Sequence, residues 1–60
     1  MKYTELKKLL RGIGCTKVSE GGNHEIWLSP ITKKKFVVGR HNSQEVASGT
    51  LAKIKKLSGL

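Results

Sequence analysis

In the run Gly21-Gly22-Asn23-His24-Glu25-Ile26-Trp27-Leu28-Ser29-Pro30 (residues 21–30), a glycine-rich turn passes directly into a strand. Glycine and asparagine tolerate the dihedrals that tight turns demand. Cys15-Thr16-Lys17-Val18-Ser19-Glu20 precedes the turn, short and moderately β-prone. His24-Glu25-Ile26-Trp27-Leu28 follows it, so the two runs read as a hairpin. Ser29-Pro30 stops the second strand, because proline has no N–H to give the ladder. Thr32 to Lys34 form a second, basic turn. Lys35-Phe36-Val37-Val38 is a third strand and Gly39-Arg40-His41-Asn42-Ser43 a loop. Alternation puts His24, Ile26 and Leu28 on one sheet face and Glu25 and Trp27 on the other. Both faces carry apolar residues, which leaves open which one meets the helices.

Helical periodicity lies on either side of these strands. Leu6, Leu9, Leu10 and Ile13 fill the i, i+3, i+4, i+7 template, and Tyr3 extends the stripe backward. Lys7, Lys8 and Arg11 fall off it. The spacing predicts a helix over Tyr3 to Ile13, capped by Thr4 or a residue just before it, with Glu5 favourable near the positive end. Gly12 and Gly14 mark its end. Leu51, Ile54 and Leu57 predict a last helix, with Ala47 joining the stripe. Ser48 or Thr50 is the expected cap, and Gly59 suits the C′ position. The order is α-β-β-β-α without repeats. Two helices on one face of a three-stranded antiparallel sheet make an α+β two-layer sandwich, in outline a double-stranded-RNA-binding domain, with the other sheet face open.

Sixty residues make one domain, 1–60, with room for only a thin core; such a chain buries about 60% of its unfolded surface. The 37% hydrophobic content is too high for a disordered polycation. A single cysteine, Cys15, cannot close an intramolecular disulfide. No apolar run exceeds three residues, which excludes a transmembrane helix or signal-peptide core and leads us to expect a cytoplasmic protein. Twelve Lys or Arg against four Glu and no Asp give a net charge of +8. That charge points to a polyanionic partner: nucleic acid, an acidic protein or an anionic membrane. A membrane is the poorest fit, since both apolar helix faces are needed for the core.

The residue types narrow the chemistry. There is no CxxC or HExxH, and four scattered glutamates cannot converge on two metal ions, so no metal and no cofactor is expected. Cys15 follows a helix end, where the dipole disfavours a thiolate, and reads as a small core residue. Trp27 and Phe36 read as core anchors. Two histidines remain. RNA can be cleaved without metal by its own 2′-OH, given a base, an acid and cations to balance the phosphorane. Histidine suits both proton transfers, because its unperturbed pKa of about 6.5 lies near working pH. His24 opens a strand straight after the turn, an exposed and backbone-fixed position. His41 sits beside Arg40 in a loop. A meeting of hairpin end and loop makes His24, His41, Arg40 and nearby lysines a ribonuclease site, and Lys33-Lys34-Lys35 a phosphate grip.

Gly22-Asn23-His24-Glu25-Ile26-Trp27 also resembles the glycine–polar–histidine–x–x–aromatic signature of HicA-type toxins, the messenger-RNA interferases of HicAB toxin–antitoxin pairs. Val37-Val38-Gly39-Arg40-His41 is similar to that family's "V-P-R-H" segment. Gly49-Thr50-Leu51-Ala52-Lys53-Ile54 resembles its closing "G-T-L-x-x-I" helix, and Ser58-Gly59-Leu60 its "x-G-L" ending. Glu5-Leu6-Lys7-Lys8-Leu9-Leu10 followed by Gly14 fits as well, so the likeness spans essentially the whole chain in order. It implies the same double-stranded-RNA-binding-like fold and places the strand-borne catalytic histidine at His24, with His41 a second acid/base candidate. It also implies a HicB-type antitoxin that covers the site in a hetero-oligomer. Asn23 stands where many members have Ser. Gly39 stands where many have Pro, and its free φ is expected to loosen the loop that carries His41.

Three functions compete. A ribonuclease toxin uses His24 as acid or base. A non-catalytic RNA-binding module of the same shape explains the charge and the open sheet face equally well, but not a histidine directly after the glycine turn. A structural ribonucleoprotein component predicts stable co-sedimentation without toxicity.

Overall fold

The computed structural model describes all residues, Met1–Leu60. Helix α1 covers Tyr3–Gly12, strands β1, β2 and β3 cover Thr16–Gly21, His24–Leu28 and Lys35–Gly39, and helix α2 covers Ser48–Ser58. The strands form one antiparallel sheet in the order β1-β2-β3. The α+β sandwich and its α-β-β-β-α order are therefore as expected.

The hairpin turn is tighter than the Gly21-Gly22-Asn23 run suggests. Gly21 pairs with His24, which leaves Gly22-Asn23 as a two-residue turn. Gly22 has φ 55 while Asn23 stays at negative φ, the dihedral pattern of a type II′ hairpin turn. Glycine is the residue that takes that first position without strain. His24 is thus held by ladder pairing on its first strand residue.

The face left undecided by alternation is settled by burial. Glu25 and Trp27 turn toward the helices, and their β3 partners Val38 and Phe36 turn with them. His24, Ile26 and Val37 point the other way. The core joins Leu6 and Leu10 of α1, Cys15, Trp27, Phe36, Val38, Val46 and Ile54 of α2. Cys15 is buried and unpaired, as a small apolar residue should be. Leu51 and Leu57 pack against this cluster from α2.

Several local expectations are corrected. Leu9 is 42% exposed, whereas Lys7 is buried. The core face of α1 therefore runs through Tyr3, Leu6, Lys7 and Leu10, rotated so that Lys7 meets the inward Glu25. Thr4 does not cap α1: its hydroxyl donates to the Asn42 carbonyl, and Lys2 is the uncapped N-cap residue. Neither Ser48 nor Thr50 caps α2, which starts after Ala47 without a side-chain cap. Ala47 is exposed and Val46 takes the core position instead, because the chain enters α2 along an extended segment pinned by the Val46 N–H to the Met1 carbonyl.

The C-terminal end of α2 is capped from across the molecule. The Ser29 hydroxyl donates to the Ser58 carbonyl at 2.6 Å and accepts from the Ile31 and Thr32 amides. The Thr32 hydroxyl donates to the Leu57 carbonyl. Terminal helix carbonyls have no partner within their own helix, so these bonds complete the ladder. They also place the end of α2 beside the β2–β3 turn. Replacing Ser29 by Ala orphans a buried carbonyl and two amides, and should cost about 1–3 kcal/mol in urea unfolding.

Candidate active-site groove

A groove of about 670 Å³ runs along β3, the edge strand of the sheet, on the side where α2 lies, so residues from both faces of that strand reach it. Lys35, Phe36, Val37 and Gly39 line it from β3, and Thr50, Lys53, Ile54 and Leu57 from α2. Asn23, His24, His41, Gln44 and Tyr3 close one end. The four α2 residues follow the i, i+3, i+4, i+7 rule, so one helix face looks onto the groove. No carboxylate lines it, while two lysines and two histidines do.

His24 and His41 lie in this one groove, as the sequence anticipated on the condition that hairpin and loop meet. Backbone geometry brings them there. The Arg40 N–H donates to the Asn23 carbonyl at 3.1 Å, tying the His41 loop to the turn before His24. The Arg40 guanidinium donates to the Gly22 carbonyl at 2.7 Å and lies 4.0 Å from Glu20. Arg40 therefore fastens the turn to the loop. Both imidazoles are exposed.

The basic triplet is divided in space. Lys35 lines the groove, whereas Lys33 and Lys34 belong to the β2–β3 turn. Lys35 pairs with Leu28 and Gly39 with His24, so that turn lies at the far end of the sheet from His24. Four strand residues separate the two ends by about 13 Å. Lys53 also lines the groove, although the three-residue spacing of Leu51, Ile54 and Leu57 says only that it lies off their stripe, not what it faces. Tyr3, which the sequence marks only as an extension of the α1 stripe, lines it too.

The loop carrying His41 is not loosened by Gly39. Gly39 does not use a positive φ. A Cβ there would stand 3.2 Å from the Tyr3 ring, so the missing side chain admits the tyrosine. The loop is held further by Thr4, whose amide and hydroxyl both donate to the Asn42 carbonyl, and by the Gln44 amide on the His41 carbonyl.

Beneath this loop lies a buried polar network. The Lys7 ammonium donates to Glu25 Oε2 at 3.1 Å and to Asn42 Oδ1 at 2.6 Å. The Trp27 indole N–H donates to Glu25 Oε1 at 2.9 Å. The Lys7 and Glu25 side chains are only 6% and 11% exposed. Above the Trp27 ring, the Arg11 guanidinium stacks at 5.3 Å from its centroid. Burial pushes the Glu25 carboxyl up, but the Trp27 N–H and the Lys7 ammonium outweigh it, with Lys17 adding attraction, and hold it below the usual range. No three His, Cys or acidic side chains come together in a way that could hold a metal ion.

Compared with known proteins, the chain matches the sequence model of the family described as HicA toxin of bacterial toxin-antitoxin, over residues 3–60. Nothing among curated proteins or solved structures matches it.

Two outcomes follow from the buried network. Lys7→Met strands an inward carboxylate and should cost about 3–5 kcal/mol. A chain of this length has about 3–9 kcal/mol in total, so the loss is a large part of it and should show as a much lower urea midpoint by circular dichroism at 25 °C. Adding Glu25→Gln removes the uncompensated charge and should recover much of that midpoint. Because the folded carboxyl titrates below its unfolded value, its contribution is present above that value and disappears as pH falls through the folded one. Stability should therefore decline below about pH 4.5, and the decline should be shallower in Glu25→Gln, measured by urea titration at each pH.

Proposed function

Because the chain belongs to the HicA toxin family of bacterial toxin–antitoxin systems, we propose that it is an endoribonuclease that cleaves messenger RNA without a metal ion, with His24 as general acid or base. The observation that carries this reading is the groove itself: His24 and His41 share it with Lys35 and Lys53 and with no carboxylate. Such a lining suits a polyanion that needs proton transfer.

In this reaction the ribose 2′-OH attacks the adjacent phosphorus. One imidazole takes the hydroxyl proton, and the other proton donor supplies the departing 5′-oxygen. The P–O5′ bond breaks as the P–O2′ bond forms, leaving a 2′,3′-cyclic phosphate and a free 5′-hydroxyl. Lysine ammonium groups beside the groove balance the charge of the phosphorane. His24 is suited to one proton transfer because ladder pairing with Gly39 fixes its backbone and exposure keeps its ring free. His41 is the candidate for the other. Arg40 helps by fastening the turn before His24. Lys33 and Lys34, at the far turn, serve general attraction to RNA.

The partner in this reading is an acidic, HicB-like antitoxin that covers the groove and forms a hetero-oligomer with the toxin in the cytoplasm. Of the twelve basic side chains, only Lys7, Lys17 and Arg40 lie within 4.0 Å of a glutamate. The rest are available to such a partner or to RNA. No helix is long and apolar enough to cross a membrane.

His24→Ala should lower the cleavage rate of single-stranded RNA by about 10²–10⁴-fold and abolish growth arrest, with an unchanged circular dichroism spectrum. EDTA should leave wild-type cleavage intact. A folded, expressed and fully toxic His24→Ala variant would overturn the assignment, and RNA binding without any cleavage would mark an RNA-binding module instead. Association with the antitoxin should slow as salt rises from about 0.01 to 0.15 M, since screening removes electrostatic steering.

A further inference from the structure

The direction of α2 gives the groove two different ends. The Tyr3 N–H bonds the carbonyl of Gln44, in the segment leading into α2, and the Tyr3 ring lies against Gly39, the ladder partner of His24, so the start of α2 is at the His24 end. Ser29 and Thr32, bonded to the Ser58 and Leu57 carbonyls, place its end near Lys35. Helix α2 thus runs antiparallel to β3. From the histidine end the groove passes Lys53 at mid-length and reaches Lys35 at the far end. Between them lie the 51%-exposed Val37 and the half-buried Leu57, an apolar strip flanked by ammonium groups.

We propose that single-stranded RNA lies lengthwise in this groove, its reacting phosphate at the His24–His41 end, a phosphate about two nucleotides further along the strand on Lys53 and one about four nucleotides along on Lys35. This rests on the ribonuclease reading and adds the substrate's form, length and register to it. The β3 wall is about 13 Å long, and a stacked strand rises about 3.4 Å per nucleotide, so the groove outreaches a dinucleotide. Its volume is in the range of a small-molecule cleft, wide enough for one strand laid along it and too small for a duplex. Alternating ammonium groups and apolar surface match the alternation of phosphate and base. Lys55 and Lys56 carry the same charge on the same helix but do not line the groove, so proximity, not total charge, distinguishes Lys53.

The test measures binding of the full chain to 2′-O-methyl RNA, which has no 2′-OH and cannot be cleaved. A single-stranded hexanucleotide, a dinucleotide and the hexanucleotide duplex are compared with wild type, Lys53→Ala, Lys35→Ala and Lys56→Ala. Each groove variant should weaken hexanucleotide binding about tenfold and flatten the slope of log K against log salt by about 0.7. Dinucleotide binding should change less than about twofold in every variant, and Lys56→Ala, which removes only general attraction, should weaken hexanucleotide binding much less than either groove variant. The duplex should bind at least about tenfold more weakly than the single strand. Equal losses in Lys56→Ala and Lys53→Ala, equal effects on both lengths, equal duplex binding, or no hexanucleotide binding at all would each overturn the proposal. Cleavage of unmodified hexanucleotide is read separately. Lysine- and length-dependent binding without cleavage supports the register and sinks the ribonuclease reading. Cleavage without lysine or length dependence does the reverse.

Discussion

The carboxylate of Glu25 points into the core of a chain that buries only 12 of its 60 residues. An isolated charge there would be very costly, so it must be paired and hydrogen-bonded. Lys7 supplies the charge, the Trp27 indole supplies a second donor, and Asn42 takes another of the Lys7 protons. These four residues come from α1, β2 and the loop after β3. Their mutual need therefore fixes how the helix sits on the sheet, which face of the sheet is inward, and where the loop with His41 lies. An apolar quartet of similar volume would pack without specifying so much, because dispersion contacts tolerate rotation and slippage whereas directed hydrogen bonds do not.

That arrangement leaves the opposite consequence for His24. With Glu25 and Trp27 inward, alternation turns His24 outward at the strand's first residue. The two-residue turn before it is locked to the Arg40 backbone and guanidinium. A proton-transfer group works best with a fixed backbone and a free ring, and this corner of the sheet offers both. The two hydroxyl caps on α2 act at the other end, anchoring the helix that forms the second wall of the groove. The histidine corner and the capped corner are thus the two ends of one cleft.

The charge of +8 resolves into separate tasks. Lys7 is structural, Arg40 ties a turn to a loop, and Lys35 and Lys53 border the groove. The remaining cations form the surface that a polyanion or an acidic partner meets. Composition could not make these divisions, since a lysine's formal charge is the same whether it is buried against a carboxylate or free in water.

Local pattern was enough for the elements: the Gly22-Asn23 turn, the strand His24–Leu28 and the αL end at Gly59 are each dictated by backbone preferences of the residues themselves. It was also enough to single out His24 and to connect it conditionally with His41. Local pattern failed where a side chain's partner is distant in sequence. Lys7 was set outside the buried stripe because lysine is normally solvated, and only Glu25, 18 residues away, reverses that. The helix caps were sought within one turn and were found instead on Ser29 and Thr32. Gly39 invited an explanation by φ, and the reason is the Tyr3 ring. What the sequence by itself determined is the order and type of elements, the cationic balance and the histidine after the turn, because these depend on neighbours a few residues apart. The inward face of the sheet, the buried ion pair and the identity of the lysines along the groove were decided only by tertiary structure, because each depends on which distant groups share a low-dielectric space or a common wall.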